Sequence, residues 1–357
     1  MPTPRARGVP RGVPLVLVRR GGRVESVHEG CVAVVTEGGR LLASAGDASR
    51  PVYLRSAAKP FQLLPFLEAG GAERFALATE EIALAAASHS GEPGHVRLAA
   101  RMLAKGGFTE GDLHCGAHPP MHEASARALA FARRVPGPLH NNCSGKHAAM
   151  LLACRLLGLD PATYWRREHP LQRRILSSVS RLTGVPRTAI GLAVDGCSVP
   201  VFRVPLAALA LGYARLVGGG PPGETPAQAA ARRRVAGAMA SAPEMVAGSG
   251  RFTTDVMREV GRGLVAKEGA EGVYAVGIPG ALRREGEAAG IAVKIADGAE
   301  RGRDAVTVET LREMGFVSGA RLARLERLAR RPLRNVRGDA VGDLTTVFRL
   351  TRARGAA

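Results

Sequence analysis

Residues 55–61 read Arg55-Ser56-Ala57-Ala58-Lys59-Pro60-Phe61, and the apolar run that follows, 61–69 (FQLLPFLEA), continues as a helix. A helix that starts here sets Ser56 and Lys59 three residues apart on one face, one above the other. Pro60 suits the first turn, where its missing N–H costs little. A serine hydroxyl is a weak nucleophile until a neighbouring base takes its proton. A lysine amine is that base once its pKa is pulled down from the reference value of ~10.4. Ser-x-x-Lys alone is a common accident, but composition sharpens it. Of 50 Lys and Arg residues only Lys59, Lys105, Lys146, Lys267 and Lys294 are lysine. Arg keeps its proton in a protein, whereas a buried Lys can release it. Where nearly every generic positive charge is Arg, a surviving Lys is a candidate for chemistry.

The rest of the chain frames that stretch. Residues 15–19, 24–36 and 41–45 read as strands parted by Gly21-Gly22 and Gly38-Gly39, an antiparallel meander that delivers the chain to Ser56. Helical patterns then dominate, at 80–87, 95–106, 123–134, 144–157, 168–183, 226–247 and 254–261. Strand composition returns at 264–267, 273–278 and 291–296, helices follow at 303–314 and 320–330, and a last strand is expected at 344–350. Neither strand block is large enough to stand alone. The order predicts an α+β fold in which N- and C-terminal strands join in one antiparallel sheet beside a mainly helical lobe. The expected divisions are a disordered tail at 1–14, a sheet lobe of 15–54 plus 262–357, and a helical lobe of 55–261. The active site is expected between the lobes, because pockets favour such junctions.

Composition narrows the function. The balance of 46% hydrophobic and 23% charged residues is that of an ordinary soluble domain. A net charge of +19 invites a nucleic-acid reading. The Arg residues are scattered, however, aromatics are only 4%, and no stacking motif interleaves with the basic runs, so nucleic acid is set aside as a partner. Five Cys in 357 residues do not make a disulfide framework. No stretch reads as a signal peptide, and the apolar run 201–218 is broken by Arg203, Pro205 and Arg215, so no membrane association is expected. A reducing cytoplasm is the expected location.

Other stretches are dense in functional side chains. Residues 139–148 (LHNNCSGKHA) hold two of the three Asn, Asn141 and Asn142, beside Cys143, Lys146 and His147. Ser144 or Asn142 as a helix cap and Cys143 as a buried hydrophobe are the plainer alternatives. Asp195-Gly196-Cys197 makes a turn whose thiol is a ligand or a packing residue. Ser88-His89-Ser90-Gly91 ends a helix. Lys267 either faces the helical lobe or is solvated at a sheet edge. Residues 252–257 (FTTDVM) offer Thr253 or Thr254 as a cap, with Asp255 favourable near the helix start. His118 and His122 invite a metal reading in a segment without a helical pattern.

Together, RSAAKPFQ (55–62), SHSGE (88–92), NNCSGKHA (141–148), DGCSVP (195–200), RFTTDVM (251–257) and AKEGAEGVYA (266–275) resemble the Rhizobium-type, class 3 L-asparaginases. The pieces fall in that family's order from about residue 15 to 350, and the motifs of the other two asparaginase classes are missing. The resemblance implies a fold related to serine β-lactamases and serine-dependent glutaminases. It implies two Ser–Lys pairs, Ser56 with Lys59 and Ser88 with Lys267, as the catalytic group. It implies a zinc ion held by Cys143, Lys146 and Cys197, which places substrate rather than activating water. Arg55, Asn142, His147 and Asp195 are the expected substrate-contacting residues. The implied reaction is attack by Ser56 on the side-chain amide of L-asparagine, with neutral Lys59 as base, and the implied assembly is a homodimer. A Ser–Lys hydrolase acting on glutamine or a lactam would share Ser56 and Lys59 without needing Cys143 and Cys197. A non-catalytic polyanion binder is the remaining alternative.

Overall fold

The two Gly-rich turns do what their composition predicts. β1 (Val13–Arg20) and β2 (Arg23–Thr36) form a hairpin through Gly21-Gly22, both with positive φ, and β3 (Leu41–Ala45) follows a second turn. The structure, a computed structural model, describes residues 12–283, 285–330 and 332–353. The expected tail at 1–14 lies mostly outside these residues, and its last two members, Val13 and Pro14, open β1. The remaining strands are β4 (Pro51–Tyr53), β5 (Gly191–Val194), β6 (Pro200–Pro205), β7 (Val265–Gly269), β8 (Val273–Ile278), β9 (Ala289–Ile295), β10 (Leu333–Arg334), β11 (Ala340–Thr346) and β12 (Thr351–Arg352).

The large sheet runs β10-β11-β1-β2-β9-β8-β7, with β3 on β2 and β12 on β3. All its pairings are antiparallel, and N- and C-terminal strands do join, as Val16 opposite Thr346 and Val34 opposite Ile291 show. β2 is the hinge of the arrangement. Its first half pairs with β1, and its second half runs between β3 and β9. That second half is buried on both faces, which explains an uninterrupted apolar run instead of alternation.

Helices cover both faces. The helix Leu206–Val217 lies on one face, where Gly277 and Gly290 sit opposite one another. A Cβ on Gly290 would stand 1.8 Å from Ala210 O, and one on Gly277 2.8 Å from Tyr213 O. The helix backbone therefore touches the sheet through two missing side chains. On the other face the helix Glu300–Glu313 brings Gly302 against His28.

The mixed helix and antiparallel-sheet architecture agrees with the sequence, with local differences. Residues 201–218, read as a broken apolar run, form β6 and the sheet-covering helix. A small sheet, β4-β6-β5, therefore draws β5 and β6 from the segment expected to be helical and β4 from the sheet lobe before it. The single helix expected at 226–247 is two, Pro226–Ser241 and Pro243–Val246, because Pro243 has no N–H to continue the ladder. The last long strand lies earlier than expected, at Ala340–Thr346, paired with β1.

Candidate active site

β4 ends at Tyr53, and Leu54 N–H donates to Phe202 O of β6 at 2.8 Å. The chain then turns sharply. Arg55 adopts a left-handed φ of 48°, a conformation that costs a non-glycine residue about 1 kcal/mol or more. A single 3-10 turn, Arg55–Ala58, leads into the α-helix Lys59–Glu68. Ser56 thus stands in the tight turn, half-buried, and Lys59 opens the helix, buried. Among the described residues no hydrogen bond involves the Ser56 side chain.

Lys59 Nζ reaches instead to the chain leaving the helix Thr79–Ala85. It donates to Ala87 O at 2.5 Å, Ser88 Oγ at 3.0 Å and Asn142 O at 3.1 Å. Three acceptors match the three N–H bonds of an ammonium. A neutral amine in the same cradle keeps two donors for the carbonyls and turns its lone pair to the Ser88 hydroxyl. The expected partner one turn back, Ser56, is not the one the amine meets. Helical spacing places Cα atoms, whereas the end of a four-carbon side chain goes where acceptors wait.

The second expected pair is also re-partnered. Lys267 lies in β7, fully buried, and its amine donates to Glu268 O at 3.0 Å and sits 3.1 Å from Glu268 Oε1. No hydrogen bond joins Lys267 to Ser88 among the described residues. Burial, with Lys59 and Arg251 nearby, pulls the Lys267 amine down to about 8 against the opposing pull of Glu268. Burial disfavours the Glu268 carboxylate, but Lys267, Arg251, the Thr253 hydroxyl and Arg303 outweigh it and hold Glu268 down to about 2. Thr253, expected as a helix cap, donates its hydroxyl to Glu268 Oε2, and Tyr274 O–H donates to Thr253 Oγ1 at 3.1 Å. Thr254 bonds Gly248 O at 2.7 Å.

Asn142 connects Lys59 to the cysteine cluster. Its carbonyl accepts from Lys59, and its Oδ1 accepts the Cys143 thiol at 3.2 Å. Cys143 and Cys197 hydrogen-bond to each other, and Lys146 Nζ donates to Cys197 Sγ at 2.9 Å. The Cys197 hydrogen bond, aided by the charges of Lys59 and Lys146, holds the Cys143 thiol well below its ordinary value despite burial. The hydrogen bond to Cys143 and burial push Cys197 up. Burial disfavours the Lys146 ammonium, but the two cysteines raise it on balance. Among the described residues no three His, Cys, Asp or Glu side chains gather as a metal-binding group. His118 and His122, which invited a metal reading, take separate partners. His118 Nε2 accepts from Asn142 N–H at 3.1 Å, and His122 Nδ1 pairs with Ser125 Oγ at 2.8 Å.

Arg55 and Asp195 meet at 2.8 Å, and Arg55 lies 3.8 Å from Glu271. Burial raises the Asp195 carboxyl, but Lys146, the Gly196 N–H and Arg55 outweigh it and keep it below the usual range. His147 is fully buried, which drives its ring neutral, with Lys146 and Lys59 adding to the effect. The Tyr164 hydroxyl accepts from His114 N–H at 2.8 Å and pairs with His147 Nδ1 at 2.7 Å. His147 Nε2 is buried and has no hydrogen-bond partner among the described residues.

The structure thus brings Lys59, Ser88, Asn142, Cys143, Lys146 and Cys197 into one chain of contacts, with Arg55–Asp195 and Lys267–Glu268 as separate pairs. Sequence reasoning missed Glu268 and Tyr164, and read Thr253 only as a helix cap. The one signal for Glu268 is its place next to Lys267, a weak one because strand neighbours point to opposite faces.

The profile of the L-asparaginase II family matches residues 16–346. No curated protein matches the chain. The fold is similar to Mglu, at 19% identity and a TM-score of 0.34 over 81% of this chain and 68% of that one. It is similar to a probable glutaminase from Bacillus subtilis complexed with 6-diazo-5-oxo-L-norleucine, at 14% and 0.36 over 81% and 85%. It is also similar to the Bacillus subtilis glutaminase YbgJ in its covalent complex with 5-oxo-L-norleucine, at 15% and 0.32 over 76% and 82%. At these scores identity rests on the sequence match, which spans nearly all the described residues: the chain belongs to the L-asparaginase II family and is an amidohydrolase.

Proposed function

We propose that the protein hydrolyses the side-chain amide of L-asparagine to L-aspartate and ammonia. The observation that carries this reading is the family match over residues 16–346. Ser56 is the attacking hydroxyl: half-buried, at a strained turn, and held by no described side chain. Lys59 is the base. Its support is burial and a 3.0 Å contact with Ser88 Oγ, which passes the proton on. Ser56 Oγ bonds to the amide carbon while its proton moves through Ser88 to Lys59. The N–H groups of Arg55 and Ser56, at the start of the Arg55–Ala58 turn, are the proposed donors to the oxyanion, since Ala57 N–H already donates to Leu54 O at 3.0 Å. The C–N bond breaks as Lys59 returns the proton to the leaving nitrogen, and ammonia departs. Water then attacks the aspartyl ester, gives a proton to Lys59, and the ester oxygen recovers it as the Ser56 hydroxyl.

The α-amino and α-carboxylate end of the substrate lies with Arg55, Asp195, Asn142 and His147, whose buried Nε2 has no partner among the described residues. Cys143, Lys146 and Cys197 fit a zinc ion by their chemistry: two thiols and an amine, buried and already in hydrogen-bonding contact. Each must lose its proton to bind. A zinc ion there would supply positive charge for placing that end of the substrate. The protein works as a homodimer in a reducing cytoplasm, the former open to light scattering in solution.

The test is ammonia release from asparagine, glutamine and a chromogenic lactam, by wild type beside Ser56→Ala, Ser88→Ala and Lys59→Met, with metal content recorded. Asparagine is expected to be the preferred substrate, and Ser56→Ala and Lys59→Met to lose at least ~10²-fold in rate. A folded Lys59→Met enzyme with the wild-type rate overturns the mechanism, and preference for glutamine overturns the substrate.

A further inference from the structure

We propose that Glu268 is a positioning residue that fixes the place and charge of Lys267 and so sets the pH range over which the site works. The proposal rests on Lys267 belonging to the catalytic group. Four buried side chains form one unit. Tyr274 O–H holds Thr253, Thr253 O–H holds Glu268 Oε2, and Glu268 Oε1 faces the Lys267 amine at 3.1 Å. Glu268 Oε1 is buried without a hydrogen bond, and among the described residues the Lys267 amine is its one ion-pair contact, with Arg251 and Arg303 adding charge from farther off. A carboxylate in that position is costly unless its partner stays charged. The unit therefore favours ammonium at position 267.

The surroundings otherwise oppose that charge. Lys59, from the helix Lys59–Glu68, and Arg251, just before the helix Phe252–Val260, both disfavour the Lys267 ammonium, as burial does. Arg303, from the helix Glu300–Glu313, acts on Glu268 and pairs with Asp304 at 2.8 Å. Tyr213 and Tyr274, from the helix Leu206–Val217 and β8, face Glu268 as neutral phenols, burial holding both well above their ordinary value. Arg55 is turned to Asp195 and Glu271. Among the described residues Glu268 is thus the one carboxylate in contact with Lys267.

The direction of the effect does not depend on which form of Lys267 is active. If neutral amine is needed, activity rises with pH through its titration. If ammonium is needed, activity falls there. Removing the carboxylate moves either limb to lower pH, by about 1–3 pH units for a buried opposite charge. Two readouts test this on the full chain. One is kcat/KM for asparagine against pH. The other is the titration of lysine labelled with carbon-13 at Cε, where five lysines give five signals and Lys267→Met identifies one.

Glu268→Gln is expected to shift the Lys267 midpoint and the activity limb down together, and Glu268→Asp to return both toward wild type. A midpoint unmoved in Glu268→Gln, or a Glu268→Asp enzyme equal to it, overturns the proposal. So does a moved midpoint with an unmoved limb. If Glu268→Gln does not fold, Thr253→Val, which releases Oε2, is expected to lower the midpoint by a smaller step, and an unmoved midpoint overturns the proposal. A wild-type protein that leaves asparagine intact while its Lys267 midpoint responds to Glu268→Gln fails the asparaginase reading, with Glu268 still in control of Lys267.

Discussion

At the scale of single residues, Cys143 is where substrate binding and turnover should separate. Its thiol lies between Asn142 Oδ1 and Cys197, one residue from the carbonyl that Lys59 bonds. Cys143→Ala removes a proposed zinc ligand and leaves the Ser88–Lys59 contact standing. KM for asparagine is expected to rise about tenfold or more with a smaller fall in kcat, and bound zinc to drop in step. Equal collapse of both constants in folded protein would count against a placing role. Which residues gather here was readable from composition and motif, because scarce Lys, Asn and Cys stand out against an Arg-rich chain. Their pairings were not. Ser56–Lys59 and Ser88–Lys267 became Lys59–Ser88 and Lys267–Glu268, since local periodicity says nothing about acceptors brought in from distant segments.

At the scale of elements, two glycine substitutions should act with opposite sign. Gly290 in β9 leaves room for Ala210 O of the helix Leu206–Val217, and a Cβ there would meet that oxygen at 1.8 Å. Gly290→Ala is expected to cost about 3 kcal/mol as helix and sheet are forced apart. Gly237 lies exposed within the helix Pro226–Ser241, with nothing within 4 Å of an added Cβ. Gly237→Ala is expected to stabilise by about 0.5–1 kcal/mol. Denaturant unfolding of the two variants beside wild type checks both. Strand positions were legible where Gly-Gly turns flanked β-branched runs, as in β1 to β3. The helix Leu206–Val217 was not. An apolar segment buried against a sheet has no polar face to reveal its period, and Arg203, Pro205 and Arg215 read as interruptions of a single run. Pro205 in fact ends β6, and Arg215 reaches the carbonyls of Arg181 and Leu182.

At the scale of the whole molecule, buried histidines make the fold sensitive to acid. His95 accepts from Glu92 N–H through Nδ1, which needs the neutral ring, and donates to Glu244 O through Nε2. Burial pulls it from 6.5 to about 4. Burial also holds His89 and His147 well below 6.5. Below 6.5 the unfolded chain binds protons that the folded chain refuses, so stability falls as pH drops. His95 alone accounts for about 3 kcal/mol by pH 4. Glu268 adds to the loss further down, between 4.5 and about 2. Asp304, raised to about 6 by burial, works the other way and offsets part of it. The denaturant midpoint is expected to fall steadily from about pH 6.5 to pH 4, and a flat midpoint would contradict the buried neutral rings. The sheet has a further consequence, for biosynthesis. β1 needs β11 and β3 needs β12, while the centre of β2 needs β9. A nascent chain emerging from the ribosome therefore carries its first three strands with edges open for most of translation. Chaperone dependence, and a folding rate limited by late closure of distant strand pairs, follow from that wiring.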